Sequence, residues 1–562
     1  MTELPPFVLF YVAAILAAVL PHRLRQVLML LVPAVGGLAI SNLPAGSLIQ
    51  VDIMSLSLEP LRVDRLSILF GYLFHIAAFL GVLFSLHLRD RLQHVAGLLY
   101  AGSALGAVFA GDYVSLFLFW EMLALTSVFL IFARGTQRAY RAGLRYLVIQ
   151  IISGVLLLAG ALLIYQQSDS LTFADIGLTN FSSGLVFIAF GIKCAFPLLH
   201  NWLTDAYPEA TPTGTVFLSA FTTKVAVYAL ARGFAGTEAL IYIGAVMTCF
   251  PIFYAVIEND LRRVLAYSMI NQIGFMVVGI GIGTSLAING AIAHAFNDVL
   301  FKSLLMMSMG AVLFRTGRIN GSDLGGLYKS MPLTTTLCIV GAASISAFPL
   351  FSGFVSKSMV MVAVLEEKHY FVWLALLFAS AGVFHHAGIK IPFFAFFSHD
   401  AGIRTSEAPL NMLVAMTIAA ILCVFVGCYP WVLYDLLPFE MSYSPFDGSH
   451  ILAQTQLLLF SAAAFAWLKV SGIYPPELRS TNIDVEWFYR RLGPLTVKQL
   501  VKGLAFSNTA LTNTVHNSGR VLMRSIFRHY GPEGTLARTW PTGSMVLWVA
   551  VLLAASLVLY YV

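Results

Sequence analysis

Glu121, Lys193, Lys224, His294, Asp298, Lys302, Lys357 and Lys390 all stand inside long apolar stretches of the chain. An ionisable side chain at the centre of a bilayer costs about 2.5–3.5 kcal/mol on insertion scales, so a series of them needs a reason. Lysine, carboxylate and histidine together can move protons. Burial among apolar groups lets a lysine give up its proton near neutral pH, and an approaching carboxylate makes it hold the proton again. A Glu–Lys pair whose separation changes is therefore a switch, and Glu121 and Lys193 suit that role. Histidine titrates near neutrality and suits a relay between two half-channels. His294, Asp298 and Lys302 are spaced i, i+4 and i+8, which places them in one stripe of one helix. Each pair taken alone also fits a structural ion pair between helices; the series as a whole favours a proton path.

Other polar residues read differently. His200, Asp205 and Glu209 cluster together and either line a proton entrance or satisfy exposed backbone. Asp112 opens an apolar run as a helix N-cap. Asp260, Arg262 and Arg263 sit in a turn, where they cap or anchor helices. His385 and His386 are adjacent and point in different directions, so at most one of them lines a path. The five cysteines (Cys194, Cys249, Cys338, Cys423, Cys428) lie in apolar segments with no CxxC pair and no Cys/His metal spacing. No haem, iron–sulfur or nucleotide motif appears, so no cofactor, metal or nucleic acid is expected.

The elements that position these groups are membrane spans. Hydrophobic residues make up 59% of 562 positions and charged residues 11%, against roughly 25% charged in a soluble domain. Abundant Phe (43) and Gly (44) suit close helix packing in lipid. Apolar runs long enough to cross the hydrocarbon core recur from end to end. They predict sixteen spans, near 5–20, 26–40, 64–86, 92–110, 113–133, 145–165, 184–203, 213–233, 239–257, 264–282, 286–314, 333–366, 371–397, 410–433, 451–471 and 544–562. The first run follows acidic Glu3 and lacks a small-residue cleavage site, so it reads as a span rather than a secretory signal.

Charge orients the spans. Loops at His22–Arg25, Arg89–Arg91, Arg134–Arg145, Arg262–Arg263 and Arg315–Lys329 are basic, as is segment 472–543. Loops 41–63, 166–177, 366–370 and 434–450 are acidic or weakly charged. With sixteen spans the two groups fall on opposite sides, which places the basic loops in the cytoplasm and both termini outside. Segment 472–543 carries nine Arg/Lys and four acids, a balance of +5 against +6 for the whole chain. Val497, Leu500, Val501, Leu504 and Leu511 follow helical spacing there. The segment reads as a basic helix on the membrane surface or as a lateral element clamping a neighbouring subunit.

Two spans are interrupted by proline in the same word. Ala195-Phe196-Pro197-Leu198 recurs 152 residues later as Ala347-Phe348-Pro349-Leu350. Proline inside a helix frees carbonyls, which in lipid need water or polar partners. Broken helices in corresponding positions of two halves point to inverted repeats around an ion path. Lys193 precedes the first break and Lys357 follows the second.

These residues resemble a known family. Phe119-Trp120-Glu121-Met122-Leu123-Ala124-Leu125-Thr126-Ser127 looks like its Trp-Glu helix, and the run from Lys193 through Pro197 and His200 to Ala206 is similar to its broken-helix signature. Lys224–Tyr228, Asp260–Ser268 and Ser352–Lys357 extend the match over roughly residues 60–435. The family is that of the antiporter-like subunits shared by Mrp-type cation/proton antiporters, the proton-pumping arm of respiratory complex I and related membrane hydrogenases. The chain looks closest to the D-type subunits of Mrp antiporters.

The resemblance implies an all-α polytopic fold with a core of about fourteen helices, two inverted five-helix repeats and broken helices. It places an antiporter-like core over 64–435, preceded by N-terminal spans over 1–63; the chain departs from that core by continuing into a C-terminal extension of about two spans over 436–562. Glu121 and Lys193 would form the switching pair of one half-channel, Lys224 and His294 would pass the proton along the central axis, Lys302 would continue it, and Lys357 would load the second half-channel. Lys390 matches no motif and rests on burial alone. The family often carries a second histidine where this chain has Asp298, and an acid there should raise the proton affinity of His294 and Lys302. The expected role is a subunit of a multi-subunit Na⁺/proton antiporter in a bacterial inner membrane, working with other membrane subunits and with no catalytic site of its own. The alternatives are a proton-pumping subunit of a redox complex whose catalytic sites lie on other chains, or a purely structural role.

Overall fold

The computed structural model describes residues 4–53, 56–479 and 482–562; Glu3 lies outside them. Among the described residues, thirteen helices are long and apolar enough to cross a membrane, and three shorter apolar helices, Pro6–Val19, Phe181–Lys193 and Pro332–Ile345, accompany them. Each of the sixteen expected spans holds helix, and the chain is a multi-pass membrane protein.

The first half begins with α1 (Pro6–Val19) and α2 (His22–Ile40), followed by strands β1 (Gly46–Ile53) and β2 (Leu56–Val63). The strands pair antiparallel from Gly46↔Val63 to Ile53↔Leu56, and Leu58, Leu61 and Val63 bury their side chains. This hairpin corrects the reading of 41–63 as loop. Pro60 inside the second strand hid it, since proline usually argues against strand. Next come α3 (Arg65–Ser85), α4 (Arg91–Phe109), α5 (Tyr113–Phe132), α6 (Gln137–Ser168) and α7 (Phe181–Lys193). Asp112 caps α5 as expected: its Oδ1 accepts from Val114 N and Ser115 N, both at 2.8 Å. Beyond the first break lie α8 (Asn201–Ala206), α9 (Gly214–Ala220) and α10 (Thr222–Gly233).

The second half holds α11 (Glu238–Ile257), α12 (Leu261–Ile282), α13 (Ser285–Thr316) and α14 (Pro332–Ile345), then, past the second break, α15 (Ser352–Glu366) and α16 (Tyr370–Val383). Asp260 caps α12. Arg262 is buried and donates to the carbonyls of Ala210 at 3.0 Å and Thr211 at 3.2 Å, which anchors the turn. The span containing α16 continues as π-helix over Phe384–Lys390 and Phe393–Phe397, a geometry common at functional sites. Next come α17 (Leu410–Cys428), α18 (Trp431–Tyr434) and α19 (Gly448–Val470).

Both breaks have one geometry. Phe196 N bonds to Gly191 O and Ala195 N to Ile192 O; Phe348 N bonds to Ala343 O and Ala347 N to Ser344 O. Each is a Schellman cap, in which the residue after the helix turns left-handed. Ala195 and Leu198 have φ of 61° and 71°; Ala347 and Leu350 have 59° and 70°. Non-glycine residues pay about 1–2 kcal/mol each in this region, so four such residues in two copies of one word mark the breaks as built features.

Residues Ile483–Val562 form a second unit. It contains α20 (Gly493–Tyr530), 38 residues long, and α21 (Thr542–Tyr561). Val497, Leu500, Val501, Leu504 and Leu511 all lie on α20, and all are exposed.

Candidate ion pathway

The line of charge starts on α5. Lys193, the last residue of α7, is fully buried, and its Nζ donates to Trp120 O at 2.5 Å while lying 4.7 Å from the Trp120 ring. Trp120 is itself fixed by its indole N–H, which donates to Ser153 Oγ at 2.9 Å. Glu121 is the next residue. Its Oε1 is buried and meets no hydrogen-bond donor among the described residues. The carboxylate sits in a notch left by Gly154 of α6: a Cβ there would fall 1.4 Å from Oε1. Lys193 thus rests on the backbone and ring of Trp120, the residue next to Glu121 in the chain, while Glu121 Oε1 lies in the notch at Gly154.

Past Lys193, Ile192 O accepts the indole N–H of Trp202 at 2.8 Å, so the broken helix end is closed from the far side of the break. The helix pair α9–α10 is interrupted again at Phe221, with φ −106° and ψ −68°. Lys224 follows this interruption. It is fully buried; Nζ donates to Ser219 O at 3.3 Å and lies 2.5 Å from Asp298 Oδ2. Tyr100 OH is hydrogen-bonded to Thr222 Oγ1 at 2.6 Å beside it.

Asp298 therefore faces across to α10. The sequence placed it between His294 and Lys302 on one stripe of α13, and that stripe exists. Its neighbours on the helix have partners elsewhere. His294 lies 3.0 Å from Gln272 Oε1 through Nε2 and 3.0 Å from Ser356 Oγ through Nδ1, and Lys302 Nζ donates to Ser268 Oγ at 2.9 Å. Asp298 meets the ammonium of Lys224 opposite it, so it joins α13 to α10 instead of linking its own stripe.

Lys357 on α15 is buried, lies 5.0 Å from the Phe275 ring, and its Nζ is 3.4 Å from Ile345 O. Ile345 is 152 residues after Lys193, so the same repeat position carries a lysine in one half and receives a lysine in the other. A cavity of about 300 Å³ reaches Lys357, lined also by Ser358, Trp373, His450 and Gln454. Lys390 ends the π-helical stretch, where Nζ donates to Val256 O at 2.6 Å and Glu258 O at 2.7 Å and pairs with Glu477 Oε1 at 2.9 Å. His386 is fully buried and its two ring nitrogens meet no partner among the described residues, whereas His385 packs on Phe465 and Tyr474.

The expected entrance residues lie beyond the first break. Asp205 accepts a two-pronged bond from Arg145, at 2.7 and 2.9 Å, and Glu209 pairs with Arg138 at 2.6 Å and Arg134 at 3.8 Å. The His200 ring lies 4.7 Å from that of Phe250. Sequence reasoning missed Gln272 and Ser356, which hydrogen-bond His294, Ser268, which accepts from Lys302, and Tyr100, bonded to Thr222 beside Lys224, and it missed Glu258 and Glu477 at Lys390. The polar run Ser268–Gln272 inside an apolar span was the available signal for the first group.

Residues 110–384 match the family described as "NADH:quinone oxidoreductase/Mrp antiporter, TM". The chain is 30% identical over 342 residues to the D-type subunit of the Na⁺/H⁺ antiporter of Alkalihalophilus pseudofirmus, covering 56% of this chain and 69% of that protein. It is 27% identical over 420 residues to hydrogenase-4 component B of Escherichia coli, covering 65% of this chain and 62% of the relative. It therefore spans about two thirds of the length of these curated relatives. Its fold is shared with a chain of the membrane-bound sulfane sulfur reductase, an archaeal respiratory membrane complex, at TM-score 0.71 and 22% identity, over 99% of this chain and 100% of that one. The ordered motifs, the paired breaks and these matches lead to one conclusion: the chain belongs to the family of antiporter-like membrane subunits of NADH:quinone oxidoreductases and Mrp antiporters.

Proposed function

We propose that this chain is a subunit of a multi-subunit Na⁺/proton antiporter in a bacterial inner membrane, and that protons cross it along the buried line from Glu121 to Lys390. The observation that carries the reading is the Lys224–Asp298 pair, fully buried and 2.5 Å apart, which bridges the two halves between the two broken helices. Glu121 and Lys193 switch proton affinity in the first half. Lys224, Asp298 and His294 form the central crossing. Lys302, Lys357 and Lys390 serve the second half, and His200, Asp205 and Glu209 lie at the basic end of the first. The transport core is residues 64–435, both termini face outward, and 472–543 lies in the cytoplasm. The likeness to a D-type antiporter component supports this reading.

A second reading, a proton-pumping subunit of a redox complex with catalytic sites on other chains, is supported by the longer alignment to a hydrogenase component. Both use the same line of charge. The test is to reconstitute the complex with its partner subunits and follow internal pH after a Na⁺ pulse. Replacing Glu121 or Lys193 with Ala abolishes the response. Wild-type response in both variants contradicts the pathway, and a response driven by an electron donor but not by Na⁺ selects the second reading.

A further inference from the structure

Lys390 has a complete set of acceptors. An ammonium carries three N–H donors, and Val256 O, Glu258 O and Glu477 Oε1 take all three, at 2.6, 2.7 and 2.9 Å. The two carbonyls come from the end of α11, within the core. The carboxylate comes from the chain after α19, 87 positions later in sequence. The Glu477 side chain is 6% exposed. Its second oxygen, Oε2, is buried without a hydrogen-bond partner among the described residues and lies beside Gly321, where a Cβ would come within 3.6 Å of it. One oxygen rests on the ammonium and the other accepts from no donor among the described residues, so Oε2 is left open to carry a proton.

The segment carrying Glu477 is latched down. Arg479 binds both oxygens of Asp323 at 2.9 Å, Asn482 Nδ2 donates to Glu258 Oε2 at 3.3 Å, and Lys469 lies 5.5 Å from the Tyr474 ring. The first two contacts tie it to Asp323, in the connection between α13 and α14, and to Glu258, between α11 and α12. The groups facing Glu477 are Lys390, Lys469, Glu258 and Tyr474. Burial pushes the Glu477 carboxyl up, and the two lysines pull it back toward the carboxylate form. Inward, His386 lies on the same π-helical stretch as Lys390, and its two ring nitrogens meet no partner among the described residues.

We propose that Glu477 is a proton-carrying residue that closes the cytoplasmic end of the second half-channel, exchanging protons between Lys390 and solvent. An N–H bond of the Lys390 ammonium breaks as an O–H bond forms on Glu477, leaving amine and carboxylic acid; the O–H bond then breaks to water, giving hydronium and carboxylate, and the Lys390 amine takes its next proton from the inner side. This rests on the reading that the chain translocates protons.

The test uses the assembled complex in proteoliposomes, with Lys193→Ala as the control and rates taken at pH 6, 7 and 8. Expected is at least a tenfold loss for Glu477→Gln, which keeps shape and acceptor but cannot titrate, and partial retention with a shifted pH profile for Glu477→Asp. If Lys193→Ala is inactive while Glu477→Gln stays within twofold of wild type at every pH, Glu477 is only a latch and the inference falls. If Lys193→Ala is itself fully active, the functional reading falls first. Should Glu477→Gln not assemble, Glu477→Asp decides: an unshifted profile overturns the proposal.

Discussion

Gly154→Ala tests the switch without touching a charge. The new Cβ would lie 1.4 Å from Glu121 Oε1, 2.6 Å from its Cδ and 3.2 Å from its Cγ. Ordinary contact is about 3.5–4.0 Å, so the carboxylate has to swing away by about 2 Å. Every atom displaced belongs to the flexible end of one side chain. An off-rotamer glutamate costs about 0.5–1.5 kcal/mol, and Gly→Ala inside a helix returns about 0.8–1.0 kcal/mol. The two nearly cancel, so the variant keeps its stability. Function is another matter, since misplacing a reacting group by 1 Å can cost about 10²-fold in rate. The expected outcome is a 10- to 100-fold slower pH response in proteoliposomes at an unchanged melting temperature. Gly160→Ala on the same helix is the contrast. Its Cβ would meet the backbone at Ser182 O (3.0 Å) and Val186 N (3.2 Å), which cannot step aside, so that variant loses stability. Wild-type transport by Gly154→Ala would refute the role given to the Glu121 position.

Asp298→Asn leaves the Lys224 ammonium buried without its counter-charge; breaking one side of a buried pair costs about 3–5 kcal/mol, which a thermal melt of the purified complex reads as a lowered transition. Trp202→Phe removes the indole bond to Ile192 O, but that carbonyl keeps the Ala195 N bond at 3.1 Å, so the loss should be near 1 kcal/mol, the low end for a buried acceptor. The Arg479–Asp323 latch should respond to acid. Burial pushes the Asp323 carboxyl up, but hydrogen bonds from Arg479, Asn320 and Ser322 outweigh it and hold the group below its ordinary value. The latch therefore contributes fully above the unfolded value of about 3.9 and is lost as pH falls through the lower folded one. Hydrogen exchange at residues 474–479 should stay slow from pH 8 to 5 and quicken only in stronger acid; quickening near neutrality would contradict this.

Much of the fold was readable because the bilayer imposes one rule, a long apolar run for each crossing, and because proline announces the breaks. The break at Phe221 was not readable, since no proline or glycine marks it and only packing around Lys224 shows it. The hairpin was hidden by Pro60. In the site, residue type identified which side chains are buried charges, yet not who pairs with whom. Asp298 lies four residues from His294 and from Lys302 along the helix, but its partner, Lys224, is 74 positions away. Glu477 was invisible for the same reason: it sits in a segment whose composition reads as basic surface, and only the fold carries it to Lys390.

The proposed pathway requires Lys224 and Asp298 to carry protons between the halves, not merely to hold the halves together. Replacing both by apolar residues of similar size, Lys224→Met with Asp298→Leu, separates the two roles, because exchanging a whole buried ion pair for apolar side chains is often neutral or stabilising. Expected is a complex that melts at or above the wild-type temperature and shows no Na⁺-driven or donor-driven proton movement in proteoliposomes. A double variant that folds and moves protons at the wild-type rate would contradict the pathway.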